Sequence, residues 1–326
     1  MSRYAPLFFL FIISFFILSC KGNEVKKNIY EYKGVEIPVK KVICMSTTQV
    51  ACIDCLGADS VIVGVSGSQY ISNPKIIEGI KKGLIKDVGY EASLNYEMII
   101  SLKPDVVFAY SIQGGNNSYI EKMQQFGIKV IIINEYLDAT PLGKLDYLKT
   151  FAQLLKCPDK ADSVISHVSA KYNDLKNLAS NEPKVKVLMN APWKDVWYIP
   201  GGKNNISILV HDAGGEIVGS VGDNVNSFAY GIEKVFVLGQ EAEFWLNPGH
   251  YNTLNEILID NPLFGSIPSF KEKKVFNNNL RSTPGGGNDF WETGIIEPHL
   301  ILEDLIRILH PDLLPEGEFH YYKKLN

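Results

Sequence analysis

Arginine is nearly missing from this chain. Lys and Arg together number 32 in 326 residues, yet only Arg3, Arg281 and Arg307 are arginine. Arginine is the usual bidentate clamp for carboxylate and phosphate, so a strongly anionic partner would have to be held by lysines or neutral donors. Excess positive charge is missing too. The formal net charge is −4, which gives no basic face for phosphates and excludes nucleic acid as a partner. Catalytic signatures are also lacking. There is no H-E-x-x-H, and Gly64-Val65-Ser66-Gly67-Ser68 misses the G-x-S-x-G elbow by one position. No catalytic residue, cofactor or metal set is assigned, and a secreted α/β enzyme stands only as the alternative class. The five cysteines include Cys52-Ile53-Asp54-Cys55, with Cys44 nearby. No second C-x-x-C or histidine pair completes a metal site, so these are read as small buried residues, with a Cys52–Cys55 disulfide left open.

Long apolar runs are absent except at the start. Arg3 is followed by the apolar stretch Leu7 to Leu18, then Ser19-Cys20 and the polar Lys21 to Lys27. That run is too short to span a bilayer and has the layout of a secretory signal. Its final cysteine resembles a lipobox, which implies cleavage before Cys20 and diacylation of its sulfur. Residues 1–19 are therefore expected to be a lipoprotein signal peptide and 20–40 a tether. The body would then be a monomer held at a membrane surface, facing periplasm or exterior.

The rest of the chain alternates apolar strands with helices. Val42 to Met45, Val61 to Val65, Asp105 to Tyr110 and Ile128 to Ile133 read as strands. Ser46-Thr47-Thr48 offers capping hydroxyls for a helix to about Leu56, and Tyr96 to Leu102 and Asn117 to Phe126 read as further helices. Continuous Val/Ile runs between helices indicate a parallel sheet covered on both faces. Leu142, Leu145, Leu148, Phe151 and Leu155 then fall at helical spacing. Pro158 to Ala179 reads as one helix of about 33 Å, long enough to be a rigid strut between two lobes. After Pro183 the alternation resumes and ends with a helix from Pro298 to Leu309. The expected fold is α/β: two Rossmann-like lobes with mostly parallel sheets joined by one long α-helix. The expected divisions are 41–140 for the N-terminal lobe, 141–180 for the connector and 181–326 for the C-terminal lobe. Glu97 and Glu233 each open an apolar helix at matching places in the two halves, where the helix dipole favours an acid.

Leu56-Gly57-Ala58, Asn95-Tyr96-Glu97 running to Leu102-Lys103-Pro104-Asp105, Gly127-Ile128 and the segment at Glu233 resemble the solute-binding proteins of iron-chelate, haem and vitamin B12 importers. Asp289-Phe290-Trp291-Glu292 before the final helix extends the resemblance over about residues 41–311. It implies ligand capture in a cleft between the lobes and delivery to an ABC permease dimer with its ATPase. It also implies that Glu97 and Glu233 dock onto permease arginines. The implied ligand is a metal chelate: a ferric siderophore first, with cobalamin or haem as alternatives.

Ligands meet doubly wound lobes at the carboxyl ends of strands. Those positions here are rich in aromatics and amides, which suit a bulky chelate. The cleft candidates are Ser46, Thr47, Tyr70, Tyr90, Tyr110, Trp193, Tyr198, Arg281, Phe290 and Trp291. Arg281 is the first choice for an anionic group on the ligand. Glu135-Tyr136 lies in another such loop. Ser282-Thr283-Pro284-Gly285-Gly286-Gly287 is expected to be a flexible edge rather than a phosphate cradle, because it lacks G-x-x-x-x-G-K-[ST].

Overall fold

The computed structural model describes residues 34–326 apart from 91, 92, 113 and 116. The expected signal peptide and Cys20 lie outside the described residues. In the first half, β1 (Val42–Cys44), α1 (Thr47–Cys55), β2 (Ile62–Val65), α2 (Pro74–Lys81) and β3 (Lys86–Asp87) are followed by α3 (Tyr96–Leu102), β4 (Val106–Ala109), α4 (Ser118–Gln125) and β5 (Val130–Ile132). The strands form one sheet in the order β3-β2-β1-β4-β5, every neighbour parallel. Period-two side chains explain its two coats. Val42, Cys44, Val106 and Phe108 enter one core, while Ile43, Val107 and Ala109 enter another on the opposite face. β3 is two exposed polar residues and carries no apolar signal in the sequence.

The stripe from Leu142 to Leu155 divides into α5 (Pro141–Leu145) and α6 (Leu148–Leu155) rather than running as one helix. α7 (Pro158–Ala179) follows as 22 residues with Pro158 at its first turn, where a missing N–H costs nothing. Its buried residues are divided between the halves. Ala161 and Val168 belong to the first half's core, Tyr172 and Ala179 to the second's.

The second half runs β6 (Val185–Met189), β7 (Val196–Ile199), α8 (Asn205–Asp212), β8 (Gly215–Ile217), β9 (Phe228–Gly231), α9 (Ile232–Gly239), β10 (Phe244–Leu246), α10 (Leu254–Asp260), α11 (Pro268–Lys271) and β11 (Val275–Asn277), then α12 (Asp289–Glu292), α13 (Pro298–Leu309) and β12 (Lys323–Lys324). Its sheet has the order β12-β11-β10-β6-β8, parallel except for β12. An antiparallel β7-β9 pair stands apart. The sequence reading lacked β9 and β12, both short. β12 is held through Asp304, a fully buried carboxylate on α13 that accepts the backbone N–H groups of His320, Tyr321 and Tyr322 at 2.7–3.1 Å. The two sheets share one plan: β2-β1-β4-β5 in the first matches β8-β6-β10-β11 in the second, and α3 and α9 each precede the strand across the switch.

One segment of the second half's sequence belongs physically to the first. Ile296 is buried in the first half's core. Glu292, itself fully buried, accepts from Ser72 N at 2.6 Å, Ser72 Oγ at 2.6 Å and Asn73 N at 3.2 Å. Gly285 and Gly287 lie against the backbone at Gln69 and Tyr70, so that a Cβ at either would sit 2.8 or 2.9 Å from a carbonyl oxygen. The triple glycine is a seam between the halves, not a loose edge: only residues without a side chain allow that approach.

Candidate functional site

Strand order reverses between β1 and β4 in one sheet and between β6 and β10 in the other, and ligands meet open α/β sheets at such points. At the first switch the chain is locked by a buried glutamine. Gln49 Oε1 accepts from Met45 N at 2.8 Å and Ser46 N at 3.2 Å, and its Nε2 donates to Ala109 O at 3.2 Å. Ser46 Oγ accepts from Gln49 N, completing a capping box that starts α1. The same first turn of α1 carries Thr48, whose hydroxyl shares a hydrogen bond with Ser46 Oγ at 2.8 Å.

There a cavity of about 310 Å³ is lined from both halves, by Thr48, Glu135 and Lys144 and by Asn205, Phe290 and Trp291 among others. Phe290 is nearly buried and packs edge-on to Tyr321 and Tyr322, so it forms a fixed back wall. Trp291 is 60% exposed and packs edge-on to Phe290 at 4.7 Å between ring centroids. Such a wall suits a bulky ligand with flat apolar faces. Glu135 is buried, and Thr48 Oγ1 donates to its Oε1 at 2.6 Å. Burial pushes the Glu135 carboxyl above its ordinary range, against the Thr48 hydrogen bond and the charge of Lys144. Burial also pushes the Lys144 ammonium down, against the charges of Glu135 and Asp138. A larger hollow of about 470 Å³ lies between α6 and α7, but its polar rim of Lys149, Gln153, Lys156 and Asp162 is exposed, leaving no convergent buried group.

Of the residues singled out from sequence, Phe290 and Trp291 line the inter-lobe cavity. Ser46 and Thr47 directly precede the cavity-lining Thr48 without lining the cavity themselves, and the Ser46 side chain is engaged in the cap. Tyr70 and Tyr90 meet edge to face at 6.0 Å, and the Tyr70 ring faces the Gly286 seam. Tyr110 is half-buried just beyond β4, and its carbonyl accepts from the Tyr119 hydroxyl. Trp193, 71% exposed, and Tyr198, 45% exposed, stand on the loop after β6 and on β7. These, like Arg281, are outside the cavity walls. Arg281 is already engaged: Nη1 donates to Asp289 Oδ2 at 2.9 Å, and the guanidinium lies 4.5 Å over the Tyr321 ring. Glu97 and Glu233 sit at equivalent first-turn positions of α3 and α9, both exposed, with no ion pair among the described residues.

Sequence reasoning passed over Thr48, Lys144 and Asn205. Lys144 carries no local signal, because it sits between apolar positions of an ordinary amphipathic stripe. Thr48 could have been found from the strand-to-helix capping run, whose third hydroxyl bonds the cap hydroxyl of Ser46 at 2.8 Å and also reaches Glu135. Among the described residues no group of three or more His, Cys, Asp or Glu side chains is arranged to hold a metal. Cys44, Cys52, Cys55 and Cys157 are free thiols, and burial pushes the Cys55 thiol up to about 11, far from a reactive thiolate.

Comparison with known proteins agrees with this architecture. The chain is 25% identical over 304 residues to an uncharacterized lipoprotein of Methanocaldococcus jannaschii, covering 90% of this chain and 71% of that one. It is 23% identical over 163 residues to an uncharacterized ABC transporter substrate-binding lipoprotein of Bacillus subtilis, covering 48% and 49% respectively. The fold matches that of Helicobacter pylori CeuE with Ni(II) bound, with a TM-score of 0.66 and 18% identity over 87% of this chain and 88% of the other. The family model for periplasmic binding proteins matches residues 42–278. Two sheets of one plan, a helical spine and a cavity between the halves accord with that match, and the chain belongs to the periplasmic binding protein family.

Proposed function

We propose that this protein is the lipid-anchored substrate-binding component of an ABC importer, capturing a ferric siderophore or a related bulky metal chelate between its lobes. The observation that carries this reading is the cavity shared by the two halves, with its aromatic wall at Phe290 and Trp291. The exposed glutamates of α3 and α9 support it further. They stand at the same point of each lobe's plan, so together they present both a charge and a spacing to a permease dimer. Cys20 is the proposed lipid attachment site, residues 20–40 the tether, and the lobes divide at the connector 141–180. The body works as a monomer.

Calorimetric and spectral titration of purified protein against ferric siderophores, cobalamin and haemin tests the reading. One-to-one binding without turnover of the chelate is expected. Conversion of the ligand, or failure of every chelate to bind, would defeat it.

A further inference from the structure

Chelate capture leaves Glu135 unexplained. Its carboxylate is 8% exposed and lines the inter-lobe cavity, yet only Oε1 is satisfied, by Thr48. Oε2 is enclosed and has no hydrogen-bond partner. Leaving a buried acceptor unmade costs free energy, so an uncompensated one points to something that arrives from outside. Lys144 lines the same cavity, and its ammonium lies beyond the 4.0 Å reach of an ion pair with Glu135. If this pair served stability alone, the two charges would close on each other; held apart in a desolvated space, they leave a gap with an acceptor on one side and a donor on the other. Both described arginines are occupied elsewhere: Arg281 by Asp289, and Arg307 by Glu303 at 2.8 Å and by the carbonyls of Glu316 and Glu318. Lys144 is thus the cation left to face the cavity.

Resting on the chelate-binding reading, we propose that Glu135 and Lys144 form a charge-separated subsite. It selects a chelate that carries a protonated amine, held at the Glu135 carboxyl group, beside anionic metal-binding oxygens, held by Lys144. Trp291 and Phe290 cover the apolar part of the same ligand.

The test uses the full chain and four probes: the ferric complex of a linear trihydroxamate with a free terminal ammonium, its N-acetylated form, cyanocobalamin and haemin. Wild type is expected to bind the ammonium form about tenfold or more tighter than the acetylated form. Glu135→Gln should erase that preference without lowering the thermal midpoint, which a structural role would not allow. Lys144→Met should weaken both trihydroxamates together. Equal affinity of wild type for the two forms, or a preference that survives in Glu135→Gln, would overturn the subsite. Binding of cyanocobalamin or haemin alone would overturn its ligand class while leaving chelate capture intact. Binding of no probe would remove both.

Discussion

Single buried ions account for much of what holds the C-terminal tail and what acid should undo. Asp304 is fully buried on α13, and its two oxygens take three successive backbone donors from residues 320–322. Asp304→Ala would leave those N–H groups unmet under the adjoining sheet edge. A loss of about 3 kcal/mol is expected in urea unfolding; a loss under about 1 kcal/mol would mean that water replaces the carboxylate. His299, on the same helix, responds to acid. Burial, then the neighbouring charge of His167, lowers it from 6.5 to about 4. A depressed histidine leaves the fold intact above its ordinary value and subtracts stability as pH falls from about 6.5 toward 4. His299→Phe should flatten that part of a melting-temperature profile, and an unchanged slope would assign the acid sensitivity to other groups.

At the scale of elements, α7 and the segment from Gly285 to Ile296 both tie the second half to the first. α7 places Ala161 and Val168 in one core and Tyr172 and Ala179 in the other. Its second half is pinned by the Tyr172 hydroxyl, which donates to Asp212 at 2.8 Å, and by Lys176 at 3.1 Å from the same carboxylate. The other strap is Glu292, which receives three donors from Ser72 and Asn73. Glu292→Ala should cost about 2–3 kcal/mol and speed amide exchange at residues 69–76, while α7 keeps its protection. Unaltered exchange there would show that the glycine seam, and not Glu292, fixes this segment to the first half.

For the whole molecule, a continuous helix and a second strap leave little room for hinge closure. Adding ligand should change the radius of gyration only slightly by solution scattering, and a large contraction would contradict the helical spine. The paired glutamates carry a separate prediction about transport. Charge reversal in Glu97→Lys or Glu233→Lys should cripple uptake in cells while leaving ligand affinity unaltered, since neither residue lines the cavity. Normal transport by both variants would end the docking role.

The sequence by itself determined the alternation of strands and helices and the α7 strut, whose bounds at Pro158 and Ala179 match the reading made from periodicity. Buried parallel strands and amphipathic helices are written in local patterns, and prolines mark their ends. Phe290 and Trp291 were singled out as aromatics in a loop at a strand's carboxyl end, but that rule did not separate them from Tyr70, Tyr90, Tyr110, Trp193 and Tyr198, which lie outside the cavity walls. Only the tertiary structure decided that Arg281 is neutralised by Asp289, that the three glycines form a seam, and that Glu135 and Lys144 face one cavity. These depend on contacts between residues far apart in the chain, where periodicity carries no information. What a side chain can offer a ligand is whatever its distant neighbours leave unused.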